Sequence, residues 1–159
     1  MKRKLMFLSA IAALCIGGAS FAQLLPEDAY VGGIGVGVSD RYVMEIYGTP
    51  TSETHAGFLR STGNYVKYIE YGTTVKIACE GDSEAGPFRV TAMVVSGNNG
   101  FTTARGIHVN STKAEVYSTY GNPEHLFNTC FMYEIPKKGQ LAFYFQDDKV
   151  SRIVVGYMD

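Results

Sequence analysis

The 159-residue chain has no tryptophan, only five prolines and three cysteines, and its charges nearly cancel, with 14 Lys and Arg against 15 Asp and Glu. Each scarcity excludes something. Three cysteines cannot supply the dense disulfide framework that replaces a core in many small secreted domains. Three of the bases, Lys2, Arg3 and Lys4, sit at the extreme N-terminus, leaving 11 bases against 15 acids over residues 23–159. A chain with that surplus of acid lacks the basic face that displaces counterions from phosphate, so nucleic acid is not an expected partner. Past residue 22 no apolar run approaches the roughly 20 residues that span a bilayer, so no transmembrane segment is expected there. Apolar side chains are plentiful. They make up 46% of the chain, with 11 Tyr and 9 Phe, which favours a packed core over disorder.

The N-terminus reads as an export signal over residues 1–22. Lys2 to Lys4 form a basic head, Leu5 to Ile16 an apolar stretch, and Ser20-Phe21-Ala22 a small-x-small cleavage site before Gln23. Gly17 and Gly18 interrupt the apolar run, which is too short for an anchor. Leu14 before Cys15 does not fit a lipidation site, where a small residue is usual. The expected mature protein is therefore extracytoplasmic, either periplasmic or secreted. Two cysteines remain in it, Cys79 and Cys130. An oxidising compartment favours pairing them, while two buried free thiols are the alternative.

The strongest internal signal is repetition. Shifting the chain by 73 positions lays Gly33–Pro50 over Gly106–Pro123 with seven identities in 18 pairs, including Gly33/Gly106, Tyr47/Tyr120, Gly48/Gly121 and Pro50/Pro123. Chance gives about one. Further on, Tyr68 aligns with Tyr133, Val75 and Ile77 with Leu141 and Phe143, and Val90 with Val150, so the offset shrinks and the first copy carries longer loops within Thr51–Asn64 and Gly81–Pro87. The expected units are residues 23–97 and 98–159, meeting near Ser96-Gly97-Asn98-Asn99-Gly100.

Both units read alike. Ser39 and Thr112 stand at N-cap positions, and Glu115 completes a capping box with Thr112. A helix of about eight residues follows, closed by Gly48 or Gly121 as a left-handed cap and by Pro50 or Pro123 beyond it. Period-two alternation then predicts strands at Tyr65–Tyr71, Thr74–Glu80 and Phe88–Val95, and at Phe131–Ile135, Gln140–Gln146 and Val150–Val155. Gly72-Thr73 reads as a two-residue hairpin turn. The expected fold is α+β, with two tandem helix–three-strand meander repeats forming an antiparallel sheet that carries short helices on one face.

The turn into Ile34–Ser39, the helix ending Tyr47-Gly48-Thr49-Pro50 and the meander after it resemble the SmpA/OmlA outer-membrane-assembly lipoprotein domain. They equally resemble the related tandem fold of the β-lactamase inhibitory proteins, and the second unit repeats the pattern at Ile107–Thr112 and Tyr120–Pro123. The resemblance covers about Val31 to Tyr157. It implies a non-enzymatic protein-binding role, as a cell-envelope assembly or scaffold factor or as a proteinaceous enzyme inhibitor, with an envelope component or a secreted or periplasmic enzyme as partner.

No chemistry-bearing motif competes with this. The glycines of Gly32 to Gly37 lack a Walker lysine and thin out in the second copy, so they read as a structural turn. His55, His108 and His125 show no metal-ligand spacing. No catalytic residue, metal or cofactor is expected. If Val75, Ile77, Leu141 and Phe143 face inward, period two and the predicted turns place Tyr65, Lys67, Lys76, Tyr144 and Arg152 together on the opposite side, as a candidate partner-binding face. The leader carries its own test: the intact mass of the exported protein should match a chain beginning near Gln23, and retained Met1 or a lipid on Cys15 would overturn it.

Overall fold

The computed structural model describes residues 23–157, so the expected leader lies outside the described residues. A 3₁₀ turn at Pro26–Ala29 leads into a small hairpin of β1 (Tyr30–Val31) and β2 (Ile34–Gly35). Helix α1 (Asp40–Tyr47) follows, then β3 (Ser52–Leu59), β4 (Asn64–Tyr71), β5 (Val75–Gly81) and β6 (Arg89–Val95). Helix α2 (Lys113–Tyr120) precedes β7 (His125–Phe127), β8 (Cys130–Ile135), β9 (Gly139–Gln146) and β10 (Lys149–Gly156). The last eight strands form one antiparallel sheet in the order β3-β4-β5-β6-β10-β9-β8-β7. The fold is thus α+β, with one large sheet and two short helices.

Each helix begins and ends where its sequence signals lie. Ser39 Oγ accepts from the Tyr42 amide at 3.1 Å. Thr112 Oγ1 accepts from the Glu115 amide at 3.1 Å, and Glu115 Oε2 accepts from the Thr112 amide at 2.6 Å. At the other end Gly48 (φ 74°, ψ −157°) and Gly121 (φ 71°, ψ −152°) donate to the Met44 and Tyr117 carbonyls. These dihedrals lie outside the left-handed helical basin that the sequence predicts, in a region open essentially to glycine alone.

The carbonyls of these two glycines dock the helix ends on the sheet. Tyr71 Oη donates to Gly48 O at 2.9 Å, and Tyr133 Oη donates to Gly121 O at 3.1 Å. Tyr71, rather than the sequence-aligned Tyr68, therefore occupies the place matching Tyr133. Other contacts match as well. The Gly37 amide donates to Val90 O and the Asn110 amide to Val150 O, both at 2.8 Å. The Asp40 amide donates to Phe88 O at 3.1 Å and the Lys113 amide to Asp148 O at 2.8 Å.

The main core lies on one side of the sheet. There Ile69, Ile77, Met93, Ile153, Leu141, Phe143 and Tyr133 meet Val43 of α1, Val116 and Tyr120 of α2, and Leu24, Val31, Ile34, Ile107 and Val109 of the flanking segments. Aromatic rings interlock at its centre, with Tyr120 5.4 Å from Tyr133 and 5.3 Å from Phe143 between centroids. The segment before β1 is pinned by a buried ion pair. Asp28, 1% exposed, receives Arg105 Nε at 2.8 Å and Nη2 at 2.6 Å, and also the Leu25 amide at 2.8 Å.

Three expectations need correction. The stretch Thr51–Asn64 is not simply a loop. It holds edge strand β3, and with β7 at the far edge each helix is followed by four strands rather than three. Both were illegible because edge strands exposed along almost their whole length show no hydrophobic alternation. The β4–β5 hairpin closes at Tyr71↔Val75, so its loop is Gly72-Thr73-Thr74, one residue longer than predicted. Because side chains alternate with period two, that residue inverts the facing of β4 relative to β5.

The third correction concerns Cys79 and Cys130, which are buried free thiols. Cys79 of β5 belongs to the main core, whereas Cys130 of β8 sits in a small cluster on the other face. Three strands separate β5 from β8, a span of about 19 Å at sheet spacing, far beyond the roughly 7 Å limit between bridged Cα atoms. The helix stops supply a test. Gly48→Ala and Gly121→Ala should each cost about 1–3 kcal/mol through backbone strain, since a Cβ on Gly48 meets no atom within 4 Å. Chemical denaturation measures it, and unchanged midpoints would refute the assignment.

Candidate functional site

The helices and flanking segments all pack on one side of the sheet, and none of their residues enters the small cluster on the other. That second cluster is Cys130, Ala142 and Val154, with Val94, Met132 and Tyr144 packed around it. Register makes it part of one row that crosses every strand: Ser52, Glu70, Lys76, Val94, Val154, Ala142, Met132 and His125. Charged and polar residues end the row, and aliphatic ones occupy its middle. A parallel row places Ala78 and Ala92 beside Tyr68. Small side chains at the centre keep this face low, and longer ones rise around it.

Two cation–aromatic stacks frame the strip. Lys76 Nζ lies 4.7 Å from the Tyr68 ring centroid and 3.1 Å from Glu70 Oε1. The Arg152 guanidinium lies 4.0 Å over the Tyr144 ring, its cross-strand neighbour. Each stack holds a long side chain in a defined position, which lowers the entropic cost of using it in a contact. Beneath, burial raises the Cys130 thiol pKa, with Arg152 opposing that shift.

Of the five residues predicted to share the open face, Lys76, Tyr144 and Arg152 lie on it. Tyr65 and Lys67 do not. The longer β4–β5 turn directs them to the core side, where Tyr65 packs against the main core and Phe58. The open face receives Val66, Tyr68 and Glu70 from β4 instead. Tyr68 is the residue that sequence reasoning missed, and the hairpin length was the only signal that would have found it.

Lys67 instead anchors an ion cluster in which only the lysine is buried, with Asp40 half-buried and Glu53 exposed. The lysine is 4% exposed, and its Nζ donates to Asp40 Oδ2 at 2.5 Å and lies 3.0 Å from Glu53 Oε1, with the Phe88 ring at 4.8 Å. These groups line a cleft of about 540 Å³ between the start of α1 and β3, with His55 and Glu84 at its rim. Behind it, burial pushes the Cys79 thiol up to about 12, so that thiol is inert as a nucleophile near neutrality. Among the described residues no group of three His, Cys, Asp or Glu side chains is placed to hold a metal ion, and no helix is long and apolar enough to cross a membrane.

Burial lowers the Lys67 pKa, but hydrogen bonds to Asp40 and Glu53 outweigh this and leave it above the ordinary 10.5. A raised pKa contributes stability that is complete below the unfolded value and lost as pH climbs through the folded one. Lys67→Met should therefore lower stability by about 1–3 kcal/mol near neutral pH. The gap between variant and parent should narrow only above pH 10.5. Urea denaturation at several pH values reads both, and a gap independent of pH would refute the charge-based account.

Comparison with known proteins yields no relative: no family model, no curated protein and no solved structure matches the chain.

Proposed function

We propose that the mature chain is an extracytoplasmic, non-enzymatic protein-binding module, acting as a cell-envelope assembly or scaffold factor that seats its partner on the open face of the sheet. The observation that carries this reading is the row Val94, Val154, Ala142 and Met132, on which no helix or flanking segment packs, set between the Lys76–Tyr68 and Arg152–Tyr144 stacks. An apolar centre with Tyr and Arg around it has the composition of an interface core. The longer side chains around them already bury Ala142 and Val154, so the apolar contact area offered here is that of the half-buried Val94, Met132 and Tyr144.

The reading includes duplication of a single helix–meander unit. Its support is the matched set of contacts at Ser39 and Thr112, Gly48 and Gly121, Tyr71 and Tyr133, and Val90 and Val150. Two such units sharing one continuous sheet favour a second reading, a secreted or periplasmic enzyme inhibitor, because the resemblance to the inhibitory proteins is to their tandem form. Capture from membrane and soluble extracytoplasmic fractions separates the two. A scaffold partner stays with the membranes, and an inhibited enzyme is soluble.

Val94→Asp and Tyr144→Ala test the face itself. Both residues lie outside the main core, so both variants should fold. Capture should fall at least tenfold, since truncating or charging an interface centre costs about 2 kcal/mol or more. Tyr65→Ala is the control, expected to lower the melting temperature because that ring packs against the core. Normal capture by folded Val94→Asp would overturn the reading.

A further inference from the structure

At the β9–β10 end of the open face, Arg152 borders a cleft of about 460 Å³ that no carboxylate lines. Among the described residues Arg152 makes no ion pair. A guanidinium carries five N–H donors in a rigid fork, and here its central carbon lies 4.0 Å from the Tyr144 ring centroid, with no acid paired to it. The other walls are neutral: Ser96, Thr129, Tyr144, Gln146 and Ser151. Ser96 and Ser151 spend their hydroxyl protons on the Thr74 and Tyr144 carbonyls. The Thr129 hydroxyl and the Gln146 amide remain to donate beside Arg152. Asp147 and Lys149, of opposite charge, line the adjoining cleft and not this one.

We infer that this cleft receives a carboxylate, an Asp or Glu side chain presented by the partner that the open face binds. The inference rests on the protein-binding reading given above. One guanidinium with neutral donors around it balances one negative charge, which suits a carboxylate; a phosphate dianion calls for a second cation. The fork geometry matches the two carboxylate oxygens. The neighbouring aliphatic row, with Val94 and Val154, then places small apolar side chains of the partner next to its acid.

The test uses the isolated protein and a defined probe, N-acetylglutamate methylamide, followed through the Arg152 Nε–H and the Thr129, Gln146 and Ser151 amides by NMR. The probe should give saturable shifts confined to these groups. The glutamine analogue should give none, and inorganic phosphate should bind less tightly. Arg152→Gln should weaken probe binding at least about tenfold, the worth of one charge-assisted pair, with an unchanged melting temperature. Arg152→Lys should recover part of the affinity, since it keeps the charge and loses the fork. Equal shifts from the glutamine analogue, tighter binding of phosphate, or full binding by Arg152→Gln would each overturn the inference. Partner capture separates this from failure of the broader reading. Capture that depends on Val94 but not on Arg152 refutes the carboxylate site alone, whereas probe binding at Arg152 with capture indifferent to Val94 refutes the open-face reading.

Discussion

The structure depends on one joint, the pairing of β6 with β10. Four residue pairs make it, from Val95↔Ile153 to Ala92↔Gly156. Without them each set of four strands would expose an edge at its centre, and unpaired strand edges are sites of misassembly. With them, eight strands share one twisted surface, and both of its faces become continuous. Gly156 sits at the tightest point. A Cβ there would come within 2.3 Å of Thr91 O and 2.5 Å of the Ala92 Cα, so the close approach of the two halves demands a residue without a side chain.

A continuous sheet needs cover, and this chain has cover for one face only. Two eight-residue helices cannot shield eight strands, so the N-terminal segment through β2 and the segment before α2 fill the remaining area with Leu24, Ala29, Val31, Ile34, Ile107 and Val109. These segments have little regular structure to hold them. Their position comes from polar anchors: Arg105 on buried Asp28, Tyr120 Oη on Thr103 Oγ1, and Tyr47 Oη on Gly32 O. The tyrosines serve twice, as apolar core and as hydrogen-bond posts, which suits a chain without tryptophan. No helix packs on the other face, and Ala78, Ala92 and Ala142 lie there.

The two clefts at the helix starts each hold a lysine, but by different means. Beneath α1, Lys67 rises from the sheet to meet Asp40 on the helix. Beneath α2 the helix itself brings the lysine. Lys113, at the position matching Asp40, lies 5.2 Å over Phe131 and 5.5 Å over Phe145 and donates to Asn128 O at 3.2 Å. An ammonium occupies both clefts, held once by carboxylates and once by aromatic faces. The backbone frame tolerates either solution because its own hydrogen bonds do not involve these side chains.

Local signals were legible in the sequence wherever the chemistry is local. A hydroxyl at an N-cap, a Glu three residues on, and a Gly where only Gly fits act within one turn of chain, so α1 and α2 appear where Ser39, Thr112, Gly48 and Gly121 put them. Period two marked the six inner strands to within about a residue for the same reason. Facing was not local. One extra residue in the turn after Tyr71 sent Tyr65 and Lys67 to the core and brought Tyr68 to the open face, and alternation alone carries no information about which phase is inward. The edge strands β3 and β7 were hidden because a strand exposed along its length has no burial pattern to read. The separation of Cys79 from Cys130 depends on the order of strands in the sheet, a long-range property. The sequence by itself thus determined the two helices and the six inner strands with their ends, through contacts a few residues apart; the tertiary structure decided the edge strands and which side chains share a face, because those follow from strand order and register across the whole sheet.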